Sequence, residues 1–141
     1  MPMQVEVMEH VVSRYTNILP REGTILILGN AVHDPVASLF PGMEIHDAAN
    51  RPSDTCQYNL VLILGSRLLP EMILDGKRDL NPGGTIACIF QGKSTSGPSD
   101  NIHDDVFQPD ILGSYWIMVA EEINMKTIGT VTIIIARKPF D

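Results

Sequence analysis

The sequence predicts an α/β fold, a mostly parallel sheet in layers with helices and closed by a C-terminal antiparallel hairpin. Three observations predict it. Short continuous apolar runs recur at Thr24–Leu28, Leu60–Leu64 and Thr85–Phe90, the pattern of strands covered on both faces. Helical segments alternate with them, which is the pattern of crossover connections in a parallel sheet. Two further strand-like runs, 115–120 and 130–136, follow each other across a polar link, the pattern of a hairpin.

The elements follow in order. Residues 5–19 carry Met8, Val11, Val12, Tyr15, Ile18 and Leu19 at spacings of three and four, with Glu9, His10, Ser13, Arg14 and Asn17 opposite, so a helix is expected there, closed by Pro20 and Gly23. Thr24–Gly29 is a buried strand. Asp34 and Pro35 suit the cap and first position of a short helix running to Phe40, and Pro41-Gly42 stops it. Met43–Asp47 is a second strand that ends in an acid. Residues 48–57 are polar and aperiodic and read as a loop. Tyr58–Gly65 is the clearest buried strand.

Ser66 is the expected cap of a helix with Pro70 near its start and Leu69, Met72, Ile73 and Leu80 facing inward. Gly76 lowers helix propensity by about 1 kcal/mol relative to Ala, which marks a point where the helix can break. Asn81-Pro-Gly-Gly84 reads as a turn into the strand Thr85–Phe90. Gln91 to Asp105 is rich in Gly, Ser and Pro and reads as a lid or a disordered loop. Pro109–Leu112 suits a short helix. Tyr115–Ala120 and Thr130–Ala136 make the hairpin, with Glu121–Gly129 as its connection.

A chain of 141 residues points to one domain, 1–141, large enough for a real core. Hydrophobic residues at 44% and charged residues at 19% fit a folded protein rather than a disordered one. The net charge of −7, with no basic run, gives no reason to expect a nucleic-acid partner or a membrane surface. Apolar runs stop far short of a membrane span, and there is no apolar signal core. The two cysteines, Cys56 and Cys88, make no disulfide framework and no CxxC; Cys88 lies in a core strand. A reducing, cytoplasmic setting is therefore expected.

In such a sheet ligands bind outside the carboxyl ends of the strands, where the strand order switches. The residues expected there are Gly29, Asn30 and Ala31 after the first strand, Asp47 and Ala48 after the second, and Gly65 and Ser66 after the third. His10, His33, His46 and His103 show no metal spacing, so no metal is expected. Gly65-Ser66 lies in no GxSxG elbow, no P-loop is present, and Gly29 alone is far from GxGxxG. No residue stands out as catalytic.

The arrangement resembles the class I S-adenosylmethionine-dependent methyltransferases. Tyr58-Asn-Leu-Val-Leu-Ile-Leu64, a helix, and Leu80-Asn-Pro-Gly-Gly-Thr-Ile86 look like the family's fourth strand, its following helix and the turn into the fifth strand. Gly113-Ser-Tyr-Trp116 sits where the family turns into its sixth strand. Val131-Thr-Ile-Ile-Ile-Ala-Arg-Lys-Pro139 looks like its last strand. The resemblance implies a three-layer Rossmann-like methyltransferase fold. It implies that Gly29 lets backbone approach the cofactor and that Asp47 accepts hydrogen bonds from its ribose hydroxyls.

Three departures stand beside the resemblance. Asn30, Ala31, Val32 and His33 occupy the loop where the family has spaced glycines and an acid. Asn59 stands where the fourth strand often has an acid. Only ten residues, 48–57, lie between Asp47 and Tyr58, too few for a helix plus the family's third strand, so that strand is expected to be missing. The expectation is a methyltransferase-like domain with weak or lost S-adenosylmethionine binding, a pseudo-enzyme serving as a scaffold or interaction module. Its partner would be another protein, or a second copy joined through a sheet edge. The alternative is a small active methyltransferase acting on a small molecule. That chemistry asks little of catalytic side chains, because the sulfonium is already activated and positioning can suffice.

Overall fold

The computed structural model of the chain describes residues 2–29, 33–47, 58–65, 70–91, 115–125 and 129–139. In chain order the elements are α1 (Pro2–Arg14), β1 (Gly23–Gly29), α2 (His33–Leu39), β2 (Met43–Asp47), β3 (Tyr58–Gly65), α3 (Pro70–Asp79), β4 (Leu80–Gln91), β5 (Trp116–Met125) and β6 (Gly129–Arg137). The described strands form one sheet in the order β2-β1-β3-β4-β6-β5. The first four lie parallel. β6 runs antiparallel between β4 and β5.

The layering follows from the alternation of side chains along each strand. Ile25 and Ile27 of β1, Leu60, Leu62 and Leu64 of β3 and Val131, Ile133 and Ile135 of β6 face one side. There they pack with Val7, Met8 and Val11 of α1 and Val36 of α2. Leu26, Leu28, Val61, Ile63, Ile86 and Cys88 face the other side, with Ile73 of α3. Both faces of β1, β3 and β4 are therefore covered. This is why the sequence runs there are continuously apolar rather than alternating. At β5 only one face packs inward: Val119, Ile123 and Met125 join the α1 side, whereas Ala120, Glu122 and Asn124 are exposed.

The sequence and the structure differ at several points, each with a local cause. α1 ends at Arg14, not at residue 19: Ile18 and Leu19 both donate to the Tyr15 carbonyl, at 3.0 and 3.1 Å, which tightens the chain into a turn before Pro20. α2 begins at His33, so Asp34 and Pro35 fall within its first turn. α3 runs unbroken through Gly76. A Cβ built there would stand 2.7 Å from Val61 Cγ1, so the glycine lets the helix seat closely on β3.

Asn81–Gly84 is no free turn but a bulge inside β4. Two steps along β3, from Tyr58 to Leu60, correspond to five along β4, from Leu80 to Thr85. Gly83 has φ +80°, its N–H donates to Lys138 O at 3.0 Å, and the Lys138 N–H donates to Gly84 O at 2.9 Å. β4 also takes in Gln91, and β5 continues through Glu121–Met125, expected as connection. Glu121 stays in the strand because its side chain turns toward α1: it accepts the Tyr15 hydroxyl and lies 3.4 Å from Arg14 Nε. The 48–57 loop with Cys56, the Ser66 cap, residues 92–105 and the 109–112 helix lie outside the described residues.

Candidate functional site at the carboxyl ends of the strands

β1 is the strand from which the chain departs in both directions: β2 pairs on one side of it and β3 on the other. The crevice between β1 and β3 is thus the topological switch point, where open α/β sheets hold their ligands. Gly29 ends β1 at this crevice. Its φ is +72°, and a Cβ built on it would lie 2.3 Å from the Leu64 carbonyl oxygen. Two independent constraints, a left-handed backbone and a contact with the neighbouring strand, both require glycine there. The same bare backbone is what a ligand's close approach needs.

Asp47 closes β2. It pairs with Ile27, two residues before Gly29, which puts it about 7 Å back along the sheet at ~3.3 Å per residue. By alternation it shares a face with Met43 and Ile45, the side covered by α1 and α2. Gly65 ends β3, opposite Phe90 of β4. The structure thus brings Gly29, Asp47 and Gly65 to one end of adjacent strands. Asn30, Ala31, Ala48 and Ser66 lie outside the described residues.

His46, beside Asp47 in sequence, turns to the opposite face as alternation dictates. Its Nδ1 lies 2.9 Å from the Tyr58 hydroxyl and its Nε2 2.6 Å from Glu44 Oε2. The ring meets the Tyr58 ring edge-on, with centroids 5.5 Å apart. This chain of contacts ties β2 to β3 beneath β1 and keeps His46 out of the carboxyl-end crevice. Among the described residues no cluster of three or more His, Cys, Asp or Glu is arranged to hold a metal ion.

The contacts of some residues were not visible in the linear sequence. Asn59 accepts the Thr24 N–H through Oδ1 at 3.0 Å, capping the start of β1. The position that in the resembling family often holds an acid therefore keeps an acceptor while adding an amide donor. Gly23 makes room for it: a Cβ there would stand 1.9 Å from Asn59 Oδ1. Trp116 is 65% exposed at the start of β5, and Ile117 beside it is 43% exposed. The alternating Glu122, Asn124 pattern from 120 onward was the available sign that the strand continues along an exposed edge.

No protein-family model matches the chain, and no curated protein shows significant sequence similarity to it. Solved structures do share its fold. The fibrillarin/Nop5p complex superposes with TM-score 0.63 at 12% identity, over 91% of this chain and 78% of that one. The glycopeptide N-methyltransferase MtfA gives 0.54 at 9% identity, over 93% and 94%. A methyltransferase from Pyrococcus furiosus gives 0.50 at 9% identity, over 94% and 82%. At these identities the likeness is one of fold: this chain has the Rossmann-like methyltransferase architecture, with a terminal antiparallel pair.

Proposed function

We propose that this methyltransferase-like domain binds S-adenosylmethionine weakly or not at all and serves as a non-catalytic scaffold or interaction module. One observation carries the reading. β2 ends the described sheet, and only ten residues, 48–57, join it to β3. In the resembling family a further helix and strand beyond β2 supply a wall of the adenine pocket. The loop after Gly29 supports the same conclusion, since Asn30, Ala31 and Val32 each carry a Cβ where the family has glycines.

The interaction role rests on the opposite end of the sheet. Among the described strands β5 has a partner on one side only, and it presents Trp116 and Ile117 to solvent. Its outer backbone groups are a template for a partner's strand, from another protein or from a second copy. A fold neighbour solved in complex with another protein, fibrillarin with Nop5p, is consistent with such a use. A cytoplasmic setting goes with the proposal and is supported by the use of cysteine, Cys88 being free and buried. No helix among the described residues is long and apolar enough to cross a membrane.

Calorimetric titration with S-adenosylmethionine and S-adenosylhomocysteine tests the proposal, alongside light scattering for assembly. The expected result is no saturable heat below about 1 mM, a dissociation constant worth only ~4 kcal/mol. Micromolar binding together with methyl transfer to any small acceptor overturns it. The second reading, a small active methyltransferase, is favoured by one feature: Gly29 and Asp47 keep their places beside the switch point. On that reading Asp47→Ala weakens cofactor binding by about 1–3 kcal/mol, the loss of charge-assisted bonds to two hydroxyls.

A further inference from the structure

At the amino end of the parallel strands lies a half-open cavity of about 430 Å³. It is roughly 20 Å from Gly65, six residues along β3 at ~3.3 Å each. Its volume falls within the range of small-molecule sites. Thr85, Arg137 and Trp116 are direct cross-strand partners on β4, β6 and β5, so they form one row on the face that α1 covers. Because α1 ends at Arg14, Asn17–Pro20 are free to cross that row and form a wall. The Asn81–Gly84 bulge forms another.

The walls are held in place before any ligand arrives. Arg137 Nε donates to Gly83 O at 3.3 Å, and Lys138 Nζ donates to Leu80 O at 2.7 Å. Together with the paired backbone bonds between Lys138 and Gly83-Gly84, these fix the bulge against the end of β6. A site ordered in advance spends less of a ligand's interaction energy on ordering itself.

The chemistry of the lining is specific. The chain carries a net charge of −7, yet among the described residues that line this cavity none is a carboxylate and Arg137 is the one with an ionic side chain. Three carboxamides, Asn17, Asn59 and Asn81, face it, each able to pair with the polar edge of a heterocycle. Asn59 Oδ1 already accepts the Thr24 N–H, so that amide offers a ligand its Nδ2 donors. Trp116, 65% exposed, supplies a flat aromatic face on which any base can stack.

We propose that this cavity binds a mononucleotide, with the base stacked on Trp116, its edge read by the asparagine amides and its phosphate paired with Arg137. One guanidinium among the described lining residues suits one phosphate, and the acidic balance of the chain opposes a long polyanion. The site is separate from the carboxyl-end crevice and does not depend on whether S-adenosylmethionine binds there.

Trp116 is the only tryptophan of the chain, so its fluorescence reports on this cavity directly. The full chain is titrated with AMP, GMP, CMP and UMP, with the matching nucleosides, and with ribose 5-phosphate. Saturable quenching by at least one nucleotide is expected, about tenfold weaker for its nucleoside and absent for ribose 5-phosphate. Arg137→Gln is expected to weaken nucleotide binding about tenfold and leave nucleoside binding unchanged. Trp116→Phe, followed by calorimetry, is expected to weaken both. Asp47→Ala is expected to change neither, whereas a ligand housed in the carboxyl-end crevice would lose affinity. Far-ultraviolet circular dichroism checks that each variant is folded. The proposal is overturned if no nucleotide quenches saturably below about 5 mM. It is equally overturned by equal affinity in Arg137→Gln, by loss of binding in Asp47→Ala, or by a hexanucleotide binding tenfold more tightly than any mononucleotide.

Discussion

Tyr58 is fully buried, yet it carries a hydroxyl that must be satisfied. His46 of the neighbouring chain segment meets that need at 2.9 Å, and Glu44 in turn holds the far side of the imidazole. Replacing Tyr58 by Phe keeps the ring's packing and leaves His46 Nδ1 without this bond. The expected loss is about 1–2 kcal/mol, read as a lower urea midpoint with unchanged slope. Gly29 shows the same logic for backbone, since both its φ and its contact with Leu64 O exclude a side chain. Its place at a strand end was legible in the sequence; its contact with β3 was not, because that depends on pairing between strands distant in the chain. Asp47 was legible for the same local reason, as an acid at the end of a short strand. Asn59 read only as a departure from a pattern. Its hydrogen bond to Thr24 spans 35 residues and becomes visible only once β1 and β3 are paired.

Among the elements, those fixed by local patterning were the easiest to read. β2 and β3 have the predicted bounds: Pro41-Gly42 stops the helix before the short alternating strand Met43–Asp47, and β3 is a continuous apolar run closed by Gly65. Sequence pattern and structure part where tertiary contact overrides local preference. Gly76 looks like a helix breaker in isolation, but it lies where α3 approaches Val61, a β-branched side chain with little freedom to move. Gly76→Ala gains about 1 kcal/mol of helix propensity and meets an overpacking cost of about 1–3 kcal/mol. The net expectation is a destabilisation of about 1 kcal/mol, measured by chemical denaturation. The long reach of β5 was hidden by Glu121-Glu122, which look like turn residues. Glu121 instead accepts from Tyr15 and pairs with Arg14, fastening the end of α1 to the edge of the sheet. Asn-Pro-Gly-Gly has turn composition yet forms a bulge in β4, because its pairing to Lys138 comes from the far end of the sequence.

For the molecule as a whole, burial makes stability depend on alkaline pH. Desolvation pushes the Cys88 thiol from its ordinary 9.0 up to about 12. The half-buried Tyr115 phenol rises from 10.0 to about 12 for the same reason. Both groups stay neutral in the folded state while the unfolded chain ionises, so the folded form binds more protons in between. Stability is therefore complete below about pH 9 and falls as pH rises toward 12. Urea unfolding at pH 8 and near pH 10 is expected to show this decline, and Cys88→Ala to flatten it. The layered α/β class, the parallel core and the terminal hairpin were legible in the sequence, because they follow from periodicity and element order. The order of strands across the sheet is a property of long-range pairing, and only resemblance supplied an expectation for it.

That strand order bears on how the chain acquires its structure. β6 is synthesised after every other strand of the sheet, yet it sits between β4 and β5 and pairs with both. During synthesis β5 emerges with no described strand to pair with, since among the described strands it pairs with β6 alone, which is not yet made. β4 likewise keeps one side open, exposing Ile86 and Cys88 until Ile134 and Ala136 arrive to pack beside them. Completion of the sheet thus waits for β6, and until then the unpaired edges are the places where the nascent chain is prone to misassociate. A chain cut after Met125 is expected to be retained by a chaperone trap and cleaved rapidly by protease, whereas one cut after Pro139 resists. Rapid proteolysis of both, or of neither, would show that insertion of β6 is not the closing event.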